Sequence, residues 1–171
     1  YTATDLSDIP GFRLAHESET RVWENTESLG RAWVVGGSLN ILKDQPARLD
    51  AADLGQVALL ETDLDRPLGG KGTATVRSSR GGRVEVDVDS DGDALLVLAV
   101  NRGPGWTASV DGGPAQPTLP CDVAWQACLV PAGRHVVTFG VDSPAVRRGV
   151  AISLAAAAIV LLMVLLPRQL S

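Results

Sequence analysis

Between Gly149 and Leu166 the chain runs 18 residues without a charge, and 16 of the 18 are apolar. At 1.5 Å per residue a helix of this length reaches about 27 Å, against a bilayer hydrocarbon core of roughly 30 Å. A helix apolar on every side needs either lipid or protein all around it. A small β-domain cannot surround one, so 149–166 is expected to be a transmembrane helix. Gly149, Ser153 and Ala157 recur at four-residue spacing and put small side chains on one stripe, a face where another helix could pack closely. In an alanine-rich helix the same spacing also arises by chance.

This segment distorts the average composition. The chain holds 77 apolar residues in 171, which looks like an ordinary soluble domain, but without the segment 61 of 153 remain, or about 40%. That remainder is acidic: 14 basic residues against 20 acidic ones, with no Lys/Arg run. This is the wrong sign for a nucleic-acid partner. Two cysteines exclude a disulfide-dense scaffold, and 18 Gly with 10 Pro exclude a coiled coil. The chain begins at Tyr1 and its one Met is Met163, so a longer parent protein is expected.

Ahead of the apolar segment the periodicity is that of strands. Phe12 to Glu17 and Arg21 to Asn25 flank Ser18-Glu19-Thr20 as a hairpin, Arg31 to Val35 is a third strand closed by Gly36-Gly37, and Val57 to Leu60 is a fourth. Between them Lys43 to Leu54, with Pro46 suited to a first helical turn and Gly55 to a stop, reads as a short helix. Residues 1–62 thus form a small α+β segment, and the polar, Gly/Pro-bearing stretch 63–72 a linker. From 73 to 143 an antiparallel β-sandwich is expected. Thr73 to Arg77 and Arg83 to Asp89 alternate with period two, and Ala94 to Val100 (ALLVLAV) is a continuous run that fits a strand buried on both faces. Asp111-Gly112-Gly113 and Pro131-Ala132-Gly133 mark two further hairpins. Residues 144–148 are read as a juxtamembrane linker and 167–171 as a short tail. The fold class is mainly β, with one C-terminal membrane helix.

Chemistry is sparse. His16 and His135 stand in no nucleophile or metal spacing, and GxSxG, HExxH, P-loop and CxxC motifs are absent. No catalytic or cofactor-binding residue is assigned. Asp87, Asp89, Asp91 and Asp93 around Gly92 match the first half of a calcium loop, but its twelfth position falls at Leu98 inside the apolar strand. The same aspartates are equally those of a strand's wet face followed by an Asp-Gly turn. Cys121 and Cys128 would lie about 23 Å apart on one extended strand, so a bridge needs a turn between them; two packed thiols is the other reading. Of the four tryptophans, Trp33 and Trp125 read as core. Trp106, after Gly103-Pro104-Gly105, is the one placed to be an exposed platform for a glycan.

Taken in order, Val22-Trp23-Glu24-Asn25, Arg31-Ala32-Trp33-Val34-Val35, Pro104-Gly105-Trp106 with Val110-Asp111-Gly112, and Val130-Pro131-Ala132-Gly133-Arg134-His135, closed by the apolar helix, resemble the C-terminal end of the YfhO-like family of bacterial multi-spanning membrane proteins. Departures occur at Trp23, where the family usually has Tyr, at Gly30, where it has Pro, and at Gly103, where it has an aromatic residue. The resemblance implies a large membrane protein with a glycosyltransferase C-type-like core that uses a polyprenyl-phosphate sugar to decorate cell-envelope polymers. This part would be a non-catalytic, extracytoplasmic β-domain beside the lipid bilayer and the upstream membrane helices, positioning envelope glycan or bracing the core, with the C-terminus in the cytoplasm. The family's catalytic acid belongs to a region absent here. Counting charge alone, Arg147 and Arg148 against Arg168 favour the opposite orientation, but in a multi-spanning protein upstream helices set topology. The competing reading is a membrane-anchored carbohydrate- or protein-binding sandwich with no enzymatic parent.

Overall fold

The computed structural model describes residues 5–44, 52–141 and 144–165. The fold is mainly β. The first two strands, β1 (Phe12–Glu17) and β2 (Arg21–Asn25), make the expected hairpin, with Leu14 opposite Trp23 and both faces largely open to solvent. Beyond it the chain builds two packed sheets. The five-stranded sheet contains β6 (Gly72–Arg80), β7 (Arg83–Ser90), β9 (Trp106–Val110), β10 (Gln116–Pro117) and β13 (Gly133–Val141), in the order β10-β9-β13-β7-β6. The six-stranded sheet contains β3 (Ala32–Val35), β4 (Gly37–Asn40), β5 (Val57–Leu60), β8 (Ala94–Leu98), β11 (Leu119–Cys121) and β12 (Trp125–Val130), in the order β3-β8-β12-β11-β5-β4.

Only Gly36 separates β3 from β4, yet they hold opposite edges of the same sheet. The six-stranded sheet therefore curls until its edges meet at that glycine, which hides edges that would otherwise invite pairing. A side chain at Gly36 would place Cβ 2.6 Å from the Gly70 carbonyl oxygen, so only glycine fits the junction. The curl explains β8: Leu96 and Leu98 face outward into the core shared with Val86, Val137 and Phe139 of the other sheet. Leu95 and Val97 face inward, among Trp33, Leu60 and Cys121. Every β8 residue is buried, as the unbroken apolar run requires.

Several expectations need correction. The 1–62 segment does not sit on the sandwich as a separate part, because β3, β4 and β5 supply half of the curled sheet, and β4 runs parallel to β5. The 63–72 stretch ends as a tightly fitted passage. Gly69 and Gly70 both donate to the Asp93 carbonyl (3.1 and 3.0 Å), and added Cβ atoms at Gly70 and Gly72 would stand 2.2 and 2.0 Å from the carbonyl oxygens of Gly92 and Asp89. Pro131-Ala132-Gly133 is not a hairpin. It carries the chain from β12 in one sheet to β13 in the other. The helix expected over Lys43–Leu54 falls largely on residues 45–51, outside those described; residues 41–44 and 54–56 are turns.

One helix, α1 (Pro144–Leu165), follows β13. It begins at Pro144, so 144–148 is the first turn of the helix and not a linker. Among the described residues, no helix is long and apolar enough to cross a membrane. The span expected over 149–166 ends at Leu166, which lies outside them, as does the expected tail 167–171.

Candidate functional site

Trp106 opens β9 directly after the Gly103-Pro104-Gly105 loop, where the left-handed Gly105 (φ 86°) turns the chain back into the sheet. The indole is half-buried: part of it packs on the inter-sheet core, and its edge meets Gly103. A side chain at 103 would start in ordinary contact with that edge, its Cβ 3.8 Å from the indole. Trp106 stands between two grooves. One, of about 510 Å³, is walled by the 102–105 loop and by Pro117, Thr118 and Pro120. The other, of about 250 Å³, is lined by Arg31, Arg80 and Arg83 with Val84 and Val100. Sequence reading found Trp106 and missed the arginines, although Arg80-Gly81-Gly82-Arg83 carries the signal: a two-residue hairpin loop sets the residues on either side directly opposite each other.

Beneath the first groove lies a polar group with an unused valence. Gln126 is fully buried, and its side-chain oxygen accepts from the Thr118 hydroxyl at 3.0 Å, while its Nε2 has no acceptor among the described residues. Among the described residues Thr118 is the one hydrogen-bond partner of the side-chain amide, so exchanging its N and O would only move the orphan. Such a group costs stability unless water or a ligand completes it.

The four aspartates do not gather. Asp87 holds Arg77 through two bonds (2.5 and 3.0 Å), Asp89 pairs with Arg134 (2.8 Å), Asp91 accepts from the Lys71 amide (2.6 Å), and Asp93 pairs with Arg66 (3.2 Å). Each carboxylate is spent on a different cation or amide. Among the described residues no group of three or more His, Cys, Asp or Glu converges on a metal position, so the calcium-loop reading is withdrawn.

His16 is exposed on β1 opposite Val22. His135 is better held: Nδ1 lies 2.7 Å from Asp111 Oδ2 and Nε2 3.1 Å from the Ala132 carbonyl. Both partners only accept, so both ring nitrogens are satisfied when both carry protons. The Asp111 carboxylate first, and then the Ala132 carbonyl, raise the His135 pKa; the same contact, helped by the Val136 amide, lowers that of Asp111.

Cys121 and Cys128 are free thiols. A turn does separate them, but Cys121 points into the curl and Cys128 into the inter-sheet core, so β-pleating holds them on opposite faces. Burial pushes the Cys128 thiol up to about 12 and raises Cys121 further, with Asp122 adding to the second. Both are therefore poor nucleophiles. Trp33 and Trp125 meet edge to face at 5.2 Å, and the Trp33 indole donates to the Leu54 carbonyl (2.9 Å), which is the core role expected of them. On α1, Gly149, Ser153 and Ala157 are exposed, and a Cβ at Gly149 would meet nothing within 4 Å.

The class that fold and site define is a two-sheet β-domain carrying an exposed apolar helix, with one aromatic-centred end. Comparison with known proteins adds no relative: no family model, curated protein or solved structure matches the chain.

Proposed function

We propose that this chain is a membrane-anchored, extracytoplasmic and non-catalytic β-domain of a YfhO-like bacterial cell-membrane protein that transfers glycosyl groups to envelope polymers, with α1 as its last membrane helix. One observation carries the membrane part. From Gly149 to Met163 every side chain of α1 is exposed and none is charged, with Ile152 at 69%, Leu154 at 66% and Met163 at 73%. A continuous apolar surface on all sides of a helix has no stable place in water and fits lipid or neighbouring membrane helices. The uncharged part of α1, residues 149–165, is about 26 Å long at 1.5 Å per residue, against a hydrocarbon core of roughly 30 Å.

The YfhO-like parent rests on the sequence resemblance, whose later motifs fall at corners of the five-stranded sheet. The Val110-Asp111-Gly112 turn and the Pro131-to-His135 crossover meet through the Asp111–His135 contact, and Pro104-Gly105-Trp106 forms the next corner of the same sheet. Within that reading, the groove beside Trp106 is where envelope glycan would be positioned. The second reading, a binding module with no enzymatic parent, is favoured by the domain's self-sufficiency, since among the described residues neither core includes a member of α1.

The test is extraction of the full chain from membranes with alkaline carbonate. Retention is expected, and release into the supernatant would overturn membrane insertion. Reading the gene upstream of Tyr1 separates the parents: about ten or more hydrophobic spans support the first, a signal peptide or a soluble domain the second. For the glycan role, Trp106→Ala is expected to weaken binding to envelope polysaccharide while circular dichroism stays native-like. Unchanged binding would remove the glycan role from Trp106.

A further inference from the structure

The end of the sandwich that carries Trp106 is also the end from which α1 departs. Val141, the last residue of β13, pairs with Trp106 and donates its amide to the Gly82 carbonyl at 3.2 Å. Pro144, where α1 starts, is three residues on, so it lies within about 11 Å of Val141 by chain reach alone. Trp106 and the Gly81-Gly82 turn therefore stand beside the root of the helix.

That turn holds an uncompensated charge. Gly81 and Gly82 are both left-handed (φ 57° and 77°), as a two-residue hairpin loop requires, and the register sets Arg80 directly opposite Arg83. Like charges facing each other across a strand pair are destabilising. Arg83 leans on Glu85 at 3.2 Å, and Arg80 has no ion pair or side-chain hydrogen bond among the described residues. A third guanidinium arrives from 49 residues earlier in the chain: Arg31, fixed by its bond to the Ser79 hydroxyl (3.1 Å). All three line one groove with Trp106, and no carboxylate lines it. A chain of net charge −5 thus gathers three arginines at one point.

We propose that this groove receives the phosphate of an anionic lipid headgroup in the leaflet from which α1 emerges, with the Trp106 indole at the lipid–water boundary. The inference rests on the membrane reading above and adds the lipid class and the residues that select it. Guanidinium forks match phosphate oxygens bidentately, and tryptophan favours the headgroup level because its ring is apolar and its N–H is not. The indole N–H makes no hydrogen bond within the described residues, which leaves it for headgroup or water.

The full chain, reconstituted into phosphatidylcholine nanodiscs with or without phosphatidylglycerol, supplies the test. Two readouts apply: the thermal midpoint of the sandwich, and tryptophan quenching by headgroup-proximal spin-labelled lipid, taken as the difference between wild type and Trp106→Phe. Phosphatidylglycerol is expected to raise both, and Arg80→Gln with Arg83→Gln to abolish the rise while leaving the phosphatidylcholine values unchanged. Arg31→Gln, on a different segment, is expected to remove part of the rise and decides the matter if the double variant fails to fold. An equal rise on adding inorganic phosphate to phosphatidylcholine discs would replace the lipid with a free anion and overturn the assignment. A chain that resists carbonate extraction yet responds identically to the two lipids sinks this inference alone. A chain that carbonate releases takes the membrane reading down with it.

Discussion

His135 is the one side chain whose charge can change near neutral pH and alter how two corners of the sandwich are joined. Its folded pKa is raised by Asp111 and then Ala132, so its contribution to stability is complete below the unfolded value of about 6.5 and fades as pH rises through the folded value. Asp111, whose pKa is lowered by His135 and then Val136, contributes above about 3.9 and loses its contribution as pH falls through its folded value. The pair is therefore most stabilising between about pH 4 and 6.5. The destabilisation caused by His135→Gln, read from urea midpoints, is expected to be largest near pH 5 and to shrink by pH 9. A pH-independent difference would assign the residue to packing alone. At Gly70 and Gly72 the constraint is steric. Alanine at either would drive Cβ into a backbone carbonyl and is expected to cost about 1–3 kcal/mol or more, whereas Gly140→Ala, which meets nothing within 4 Å, serves as the control.

Among the elements, the curled sheet separates two cores that share β3, β8 and β12. Leu60 lies inside the curl and Phe139 between the sheets, and both are fully buried. Replacing either by Ala is expected to cost about 2–5 kcal/mol, and the double variant to cost the sum within about 0.5 kcal/mol, because no cavity is shared. Strong coupling in the measured cycle would mean the two cores act as one. The same elements show what the sequence made legible. The hairpins β1–β2, β6–β7 and β9–β10 were readable because turn chemistry and alternation are local. Which sheet a strand joins is not local: Pro131-Ala132-Gly133 reads the same whether the chain folds back in one sheet or crosses to the other. β4 escaped notice because Gly-Ser-Leu-Asn has no strand period and becomes a strand only by pairing with β5. Half of the Trp106 site was readable in the Gly-Pro-Gly-Trp loop. Arg31 was not, since only the packing of β3 against β6 of the other sheet brings it to Ser79.

At the scale of the whole molecule, the sandwich and α1 are built for different solvents. The sandwich buries its large apolar side chains in two closed cores, while α1 shows Val150, Ile152, Leu154, Ile159 and Leu162 to the outside, each more than half exposed. Among the described residues no core member belongs to α1, so removing the helix should cost the sandwich nothing. A chain ended after Asp142 is expected to be monomeric in buffer without detergent and to unfold at the same urea midpoint as the detergent-held full chain. Cys121 and Cys128 report this independently of optical signals: with thiols buried and their pKa values raised, both should react with a thiol reagent only at the rate of unfolding. Burial also means that slow labelling in intact cells would say nothing about which side of a membrane the domain occupies. Rapid labelling of the shortened chain in native buffer, with protection in the full chain, would show that α1 completes the fold. It would then have to be treated as part of the domain and not as its anchor.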